Sequence, residues 1–229
     1  MHPREEDGVR QWCKLCASLP GNARGPTRLG CNVSSIGSMK KEQVFLDEFA
    51  VAFECPDLDH VDIYWPSKTC VYNSAGGPSC GNSICCSAPN IFADIHTHRL
   101  HPQFARCLRK WESIDSSDRT VYGWSEECGR PVPASPHIKT FFERCSHNRA
   151  RFLLSGSHNL SMSAWGSVTK KSQRLWIRSW ELGVMCVHGG GPDMLLEDYL
   201  PYKLNTDLFS KGVPYEEANQ AWAQLPFRN

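Results

Sequence analysis

No stretch of 18 consecutive apolar residues occurs in this 229-residue chain, which excludes a membrane-crossing helix. An excess of one charge is missing too. The 25 Lys and Arg stand against 24 Asp and Glu, leaving +1 with histidine neutral. Such a balance gives no global basic field, so any contact with nucleic acid must come from a local patch. The opening Met1-His2-Pro3-Arg4-Glu5-Glu6-Asp7 lacks an apolar segment. It therefore predicts no secretory signal, and a cytosolic or nuclear location is expected. Internal repeats and heptads are absent. Cys13-Lys14-Leu15-Cys16 has no second pair at zinc-ribbon spacing, so structural zinc is not expected. A second His-x-Lys is also lacking: of nine histidines, only His137 has a lysine two positions on.

Cysteine is abundant, at 12 residues. In a reducing compartment these read as free thiols. Cys80, Cys85 and Cys86 lie in a Gly/Ser/Pro-rich segment. With His96 and His98 they could ligate a metal, but a solvated insertion is the simpler reading. No metal or cofactor is expected. Hydrophobic content of 41% and charged content of 21% are those of an ordinary globular protein with one good core.

The richest chemistry lies in His137-Ile138-Lys139. Alternate residues of a strand share a face, so an extended run aims His137 and Lys139 into one pocket and Ile138 into the core. Asn159 follows 20 residues after Lys139, at the end of the apolar run Phe152-Leu153-Leu154. An imidazole, an ammonium and a carboxamide together suit a phosphate ester. Lysine holds the negative oxygens, asparagine donates to them, and histidine moves a proton. A helix N-cap before Leu160-Ser161-Met162 is the plain alternative for Asn159. Ser34, Ser35 and Ser38 surround Gly37 in a turn whose hydroxyls and amides suit DNA phosphates; ordinary turn chemistry would need the same residues. Glu181 falls within an apolar run, 175–184, read as strand. A charge there is costly unless paired, for instance with Arg178 or Arg174.

Periodicity predicts a short amphipathic helix over 1–20 and a strand over 28–36. It predicts a helix over 41–53 and a strand over 61–65 that stops at Pro66. A helix is expected over 104–111, and strands near 136–142, 151–156 and 175–187. Met162 to Trp165 should open a short helix. Segments 74–90 and 113–134 read as loop insertions, the second irregular and mobile. The tail around 199–204 and 213–215 reads as irregular surface segments. Trp65, Trp165, Trp176 and Trp180 are expected in the core.

The motifs Pro136-His137-Ile138-Lys139-Thr140, Leu154-Ser155-Gly156-Ser157-His158-Asn159-Leu160-Ser161, Ala164-Trp165-Gly166 and Ile177-Arg178-Ser179-Trp180-Glu181-Leu182-Gly183-Val184 resemble the tyrosyl-DNA phosphodiesterases of the phospholipase D superfamily. Val33-Ser34-Ser35-Ile36-Gly37-Ser38, Ile63-Tyr64-Trp65-Pro66-Ser67 and Ala75-Gly76-Gly77 support this upstream, in the family's order. Most superfamily members place an Asp five residues after the lysine. Here Arg144 occupies that position and Asn159 stands in.

The resemblance implies an α/β (α+β) fold, a mixed β-sheet flanked by helices forming one of two pseudo-symmetric halves. It covers roughly 1–215 of one domain spanning 1–229 and matches the C-terminal half alone. Family enzymes take one His-x-Lys from each half. The implied activity is hydrolysis of 3′-phosphotyrosyl DNA left by topoisomerase I, in the nucleus, without a membrane role. His137 would match the proton-moving histidine, not the nucleophile. Lys139 and Asn159 would hold the phosphoryl oxygens, and Glu181 would orient an active-site histidine. Gly76 and Gly77 match a loop near the substrate. Implied partners are DNA 3′ ends carrying a topoisomerase I peptide. A second half-chain or a homodimer would complete the site; an inactive DNA- or phosphate-binding half-module is the alternative.

Overall fold

The computed structural model describes residues 8–18, 28–36, 50, 55, 57–66, 70–71, 73–86, 91–94, 97, 99–113, 122–125, 130–168, 174–187 and 194–204. In chain order its strands are β1 (Arg28–Asn32), β2 (Val61–Pro66), β3 (Phe92–Asp94), β4 (Arg99–Leu100), β5 (Leu108–Ser113), β6 (Tyr122–Ser125) and β7 (Arg130–Pro133). There follow β8 (Lys139–Arg144), β9 (Arg149–Gly156), β10 (Ser167–Val168), β11 (Leu175–Trp176), β12 (Gly183–Val187), β13 (Met194–Leu195) and β14 (Tyr202–Lys203). The main sheet has the order β12-β9-β8-β1-β2-β5-β14, with β13 also on β9. Its centre is parallel, β1 with β2 and β2 with β5. Antiparallel pairs of β8 with β1 and with β9, and of β9 with β12, extend it. The sheet is thus mixed, as expected.

Alternation along these strands makes two cores, one on each face. One contains Cys31, Ile63, Trp65, Phe141, Phe152 and Leu154; the other contains Tyr64, Trp111, Phe142, Leu153 and Tyr202. Helix α1 (Gly8–Ala17) covers the first through buried Val9 and Trp12. Trp12 stacks on Trp165 at 4.8 Å and meets Phe141 and Phe152 edge-on at 5.5 Å. Rings this large dominate the area removed from water. On the second face the Thr140 and Tyr202 hydroxyls hydrogen-bond at 2.6 Å, so neither is buried unpaired.

Helix α2 (Pro102–Cys107) is shorter than the helix expected over 104–111. The chain turns to strand at Leu108, because pairing Ile63 with Leu108 and Tyr64 with Arg109 satisfies both backbones in the sheet. Segment 113–134 is not irregular throughout: β6 and β7 form a hairpin, pairing Tyr122 with Pro133 and Ser125 with Arg130. Its prolines fit a two-stranded edge. Segment 74–86 is wound into a 3-10 helix, Gly77–Ser83, instead of an open loop. The strand expected over 175–187 is broken into β11 and β12. Between them Arg178 and Ser179 donate from their backbones to the Ser163 carbonyl at 3.2 and 3.1 Å, which bends the chain. Two tryptophans expected in the core are therefore at the surface: Trp176 is 47% and Trp180 101% exposed. The tail joins the sheet, since β14 pairs with β5 and Tyr202 is buried. Only Ala50 of the expected 41–53 helix, and none of 213–215, is among the described residues.

Candidate active site

Three strand ends meet at the candidate site. Lys139 opens β8 opposite Gly156, the last residue of β9, and Gly183, the first of β12, lies opposite Gly156 on the other side. Glycine is required here by close approach. A Cβ on Gly156 would lie 2.6 Å from the Leu182 carbonyl oxygen and 2.8 Å from the Gly183 Cα.

His137 precedes β8 in a turn closed by its own N–H to the Ser135 carbonyl at 2.7 Å. It is exposed, whereas Lys139 is buried, on the face of Phe141. Lys139 Nζ donates to the His137 carbonyl at 2.7 Å and lies 3.1 Å from both ring nitrogens. Asn32, buried at the end of β1, donates through Nδ2 to the Ile138 carbonyl and fixes the peptide between them. Ile138 packs against the second core.

Electrostatics follow from this arrangement. Partial burial and then the ammonium of Lys139 hold the His137 pKa below its ordinary value. Burial likewise lowers Lys139, opposed by the negative fields of Glu181 and Cys85. An imidazole so depressed is a stronger acid when protonated and stays neutral more readily near neutrality.

Asn159 does not cap the helix after it. Ser161 does so for α3 (Met162–Trp165), its hydroxyl accepting from the Ala164 N–H at 3.3 Å. Asn159 Oδ1 instead accepts from the Ser34 N–H at 3.1 Å, the Ser35 N–H at 2.9 Å and the Ser34 hydroxyl at 3.2 Å. Backbone N–H groups can only donate, so the amide oxygen must face the serines and the amide NH2 is turned the other way. Its carbonyl accepts from Trp165 Nε1 at 3.0 Å, tying the site to the first core.

Ser34 and Ser35, expected from the sequence to contact DNA phosphates, donate to the Asn159 side chain in the structure. Ser38 lies outside the described residues. Gly76 and Gly77 begin the 3-10 helix; Gly77 has φ 56°, and a Cβ on Gly76 would strike Cys80 Sγ at 2.3 Å. The loop reaches the site at its other end. Cys85 N–H donates to the Ser34 carbonyl at 2.7 Å, and Ile36 N–H to the Cys85 carbonyl at 3.3 Å. The sequence offers Cys85 as part of a solvated insertion or as a metal ligand, and nothing in its local sequence marks this backbone contact with Ser34.

Glu181 lies between β11 and β12, not inside a strand. It accepts from the Ser157 hydroxyl at 2.5 Å rather than from Arg178, whose guanidinium sits 5.1 Å over the Trp176 ring. Ser157 is clasped to the same turn: its N–H donates to the Leu182 carbonyl at 3.0 Å, and the Leu182 N–H donates to its hydroxyl at 3.0 Å. The Glu181 field raises Lys139 and also His158, whose pKa is lowered chiefly by burial. His158 packs on Trp165 at 4.8 Å and, with Glu181, Trp180, Ile177 and Trp12, lines an open groove of about 840 Å³. Sequence reasoning passed over His158, although its place beside Asn159 was a usable signal. Among the described residues no three His, Cys, Asp or Glu side chains gather into a metal-sized group.

Comparison with known proteins gives this geometry a family. The model of the tyrosyl-DNA phosphodiesterase family matches residues 6–227. Tyrosyl-DNA phosphodiesterase 1 of Arabidopsis thaliana is 37% identical over 123 residues, taking in 54% of this chain and 17% of the plant protein. A probable tyrosyl-DNA phosphodiesterase of Caenorhabditis elegans is 39% identical over 66 residues, 27% of this chain and 14% of its own. Crystal structures of the yeast tyrosyl-DNA phosphodiesterase share the fold. A mutant superposes with TM-score 0.55 at 15% identity, covering 82% of this chain and 46% of the yeast chain. A second yeast structure gives 0.51 at 14% identity, with 82% and 45% covered. This chain thus spans about half the length of the solved structures it matches. The chain belongs to the tyrosyl-DNA phosphodiesterase family.

Proposed function

We propose that this chain supplies the acid/base half of a DNA-repair phosphodiesterase that cleaves 3′-phosphotyrosyl DNA. The observation that carries this reading is Lys139 Nζ at 3.1 Å from the His137 ring, with the Asn159 amide oriented by Ser34 and Ser35. In the reaction a histidine from another half-site attacks phosphorus. A P–N bond forms, the P–O bond to tyrosine breaks, and His137 gives its proton to the departing phenolic oxygen. Neutral His137 then takes a proton from water as that water displaces the phosphohistidine. The products are a 3′-phosphate end and a free tyrosyl peptide. Lys139 and the Asn159 NH2 stabilise charge on the nonbridging oxygens. Glu181, clasped by Ser157, orients an imidazole, and its field opposes the burial that lowers Lys139. Nuclear DNA is the proposed setting.

These 229 residues contain one His-x-Lys, so the nucleophile comes from outside them: from a further half of a longer protein, from a second half-chain, or from a second copy of this chain. The same observation favours one other reading, a half-module that binds phosphorylated DNA ends without cleaving them.

A labelled oligonucleotide ending in 3′-phosphotyrosine, incubated with wild type and with Asn159→Asp, separates the readings. Asn159→Asp keeps an oxygen for the Ser34 and Ser35 amides but replaces the NH2 donor with a second oxygen. Loss of cleavage with the fold intact supports the catalytic reading. Equal binding and no turnover by wild type under every condition supports the binding module.

A further inference from the structure

Asp62 sits on the second-core face of β2, two residues before Tyr64 and thus on its side of the strand. It is 2% exposed, and three guanidiniums converge on it. Arg28 binds it in a fork, Nε to Oδ2 at 2.8 Å and Nη2 to Oδ1 at 2.6 Å. Arg109 Nε donates to Oδ1 at 2.7 Å, and Arg144 Nη2 reaches Oδ2 at 3.1 Å. Oδ1 therefore accepts twice and Oδ2 once, with the Arg144 guanidinium as an ion pair beside Oδ2. Arg144 also donates weakly to the Tyr64 hydroxyl at 3.4 Å. The neighbouring carboxylate, Glu143, is taken by Arg151 at 2.6 Å.

Among the described residues Asp62 is the one carboxylate shared by Arg28 and Arg144. The side chains of Arg28 and Arg144 remain 27% and 13% exposed, so both reach the surface. Partly buried cations held near one another repel unless further negative charge joins them. Guanidinium forks match tetrahedral oxyanions in geometry as well as charge. Arg28 lies opposite Arg144 in the β1–β8 register. That places the cluster at the other end of β8 from Lys139, about 17 Å along the strand and on the opposite face.

We propose that Arg28 and Arg144, prepositioned by Asp62, form a second phosphate site remote from the His137–Lys139 pair. Its ligand is a phosphate group, either a backbone phosphodiester or inorganic phosphate, held by the guanidinium N–H groups of Arg28 and Arg144 that Asp62 does not engage. The proposal does not depend on the phosphodiesterase reading.

The test uses Lys139→Ala, so that the catalytic lysine cannot supply the response. Inorganic phosphate is titrated against chloride at matched ionic strength while the melting temperature is followed. A saturable rise of about 3–5 °C at ten times the half-saturating concentration is expected with phosphate only. Adding Arg28→Gln should abolish that rise. If this double variant does not fold, Arg144→Lys replaces it, keeping the charge without the fork, and should weaken phosphate binding measured by calorimetry. An adduct-free single-stranded oligonucleotide competed away by phosphate assigns a backbone phosphodiester. A phosphate response without oligonucleotide binding assigns the free ion. Equal rises with phosphate and chloride, or a phosphate response unchanged by the arginine substitutions, overturns the proposal.

Discussion

Lys139 lies close enough to His137 to depress its titration, so the two side chains report on each other. In Lys139→Ala the His137 pKa should rise, because the repelling charge is gone, as read from the imidazole resonances across pH. A fall, or no change, would mean that the ammonium does not face the ring. Where cleavage is measurable, the same variant should lose about 10²–10³ in kcat, the usual scale for one oxyanion donor. For stability, the sign follows from the depressed pKa: the folded state favours neutral His137. That contribution is present above the unfolded pKa and is lost as pH falls through the folded one. In Glu181→Gln both Lys139 and His158 should titrate lower, since the Glu181 field raises them. Asn159→Ala removes the acceptor for two backbone N–H groups and a hydroxyl, and should cost about 1–3 kcal/mol in urea unfolding. Asn159→Asp should cost less and still abolish turnover, which separates holding the serine turn from acting on phosphate.

At the scale of elements, the site depends on how closely β9 approaches the turn before β12. Gly156→Ala places a methyl against backbone, not against a flexible side chain, and should destabilise by about 1–3 kcal/mol. Displaced Ser157 would loosen Glu181, so the Lys139 titration should move with it; an unchanged Lys139 would show the two to be uncoupled. Much of this level was legible in the sequence. The strands around His137, Phe152 and Val61 announce themselves through apolar alternation, and Met162 to Trp165 through its short polar start. Other elements were set by distant partners. Leu108 to Trp111 reads as helix locally but becomes strand because Ile63 and Tyr64 offer a parallel ladder. Residues 177–182 look like strand interior, yet the Ser163 carbonyl bends them and leaves Trp180 in solvent. The site's residue types were likewise legible in His137, Lys139 and Asn159. Their supports were not, because Cys85 acts through its backbone and Asn32 through a side-chain bond to the distant Ile138 carbonyl, which no local pattern records.

Across the whole molecule, two features bear on assembly and stability. Trp180, Leu182 and Val184 lie together at and before the edge strand β12, at 101%, 82% and 69% exposure. An apolar edge of this kind favours association. Leu182→Lys with Val184→Lys should shift sedimentation toward monomer, and an unchanged profile would place any self-association elsewhere. At the other end of the sheet, Asp62 ties β1, β2, β5 and β8 together through its three arginines. Its pKa is held low, with burial opposed by the hydrogen bonds of Arg28 and Arg109. Its contribution is therefore present above the unfolded carboxyl value and is lost as pH falls through the folded one, below about pH 4. Asp62→Asn should cost about 3–5 kcal/mol, because it leaves buried cations uncompensated.

The most direct test of the half-site account is cleavage of a 3′-phosphotyrosyl oligonucleotide in EDTA by size-fractionated protein, beside His137→Ala. The account predicts an inactive or very weak monomer. Activity should appear in fractions holding two half-sites and vanish in the mutant. Robust turnover by a confirmed monomer, or turnover that survives His137→Ala, would contradict it.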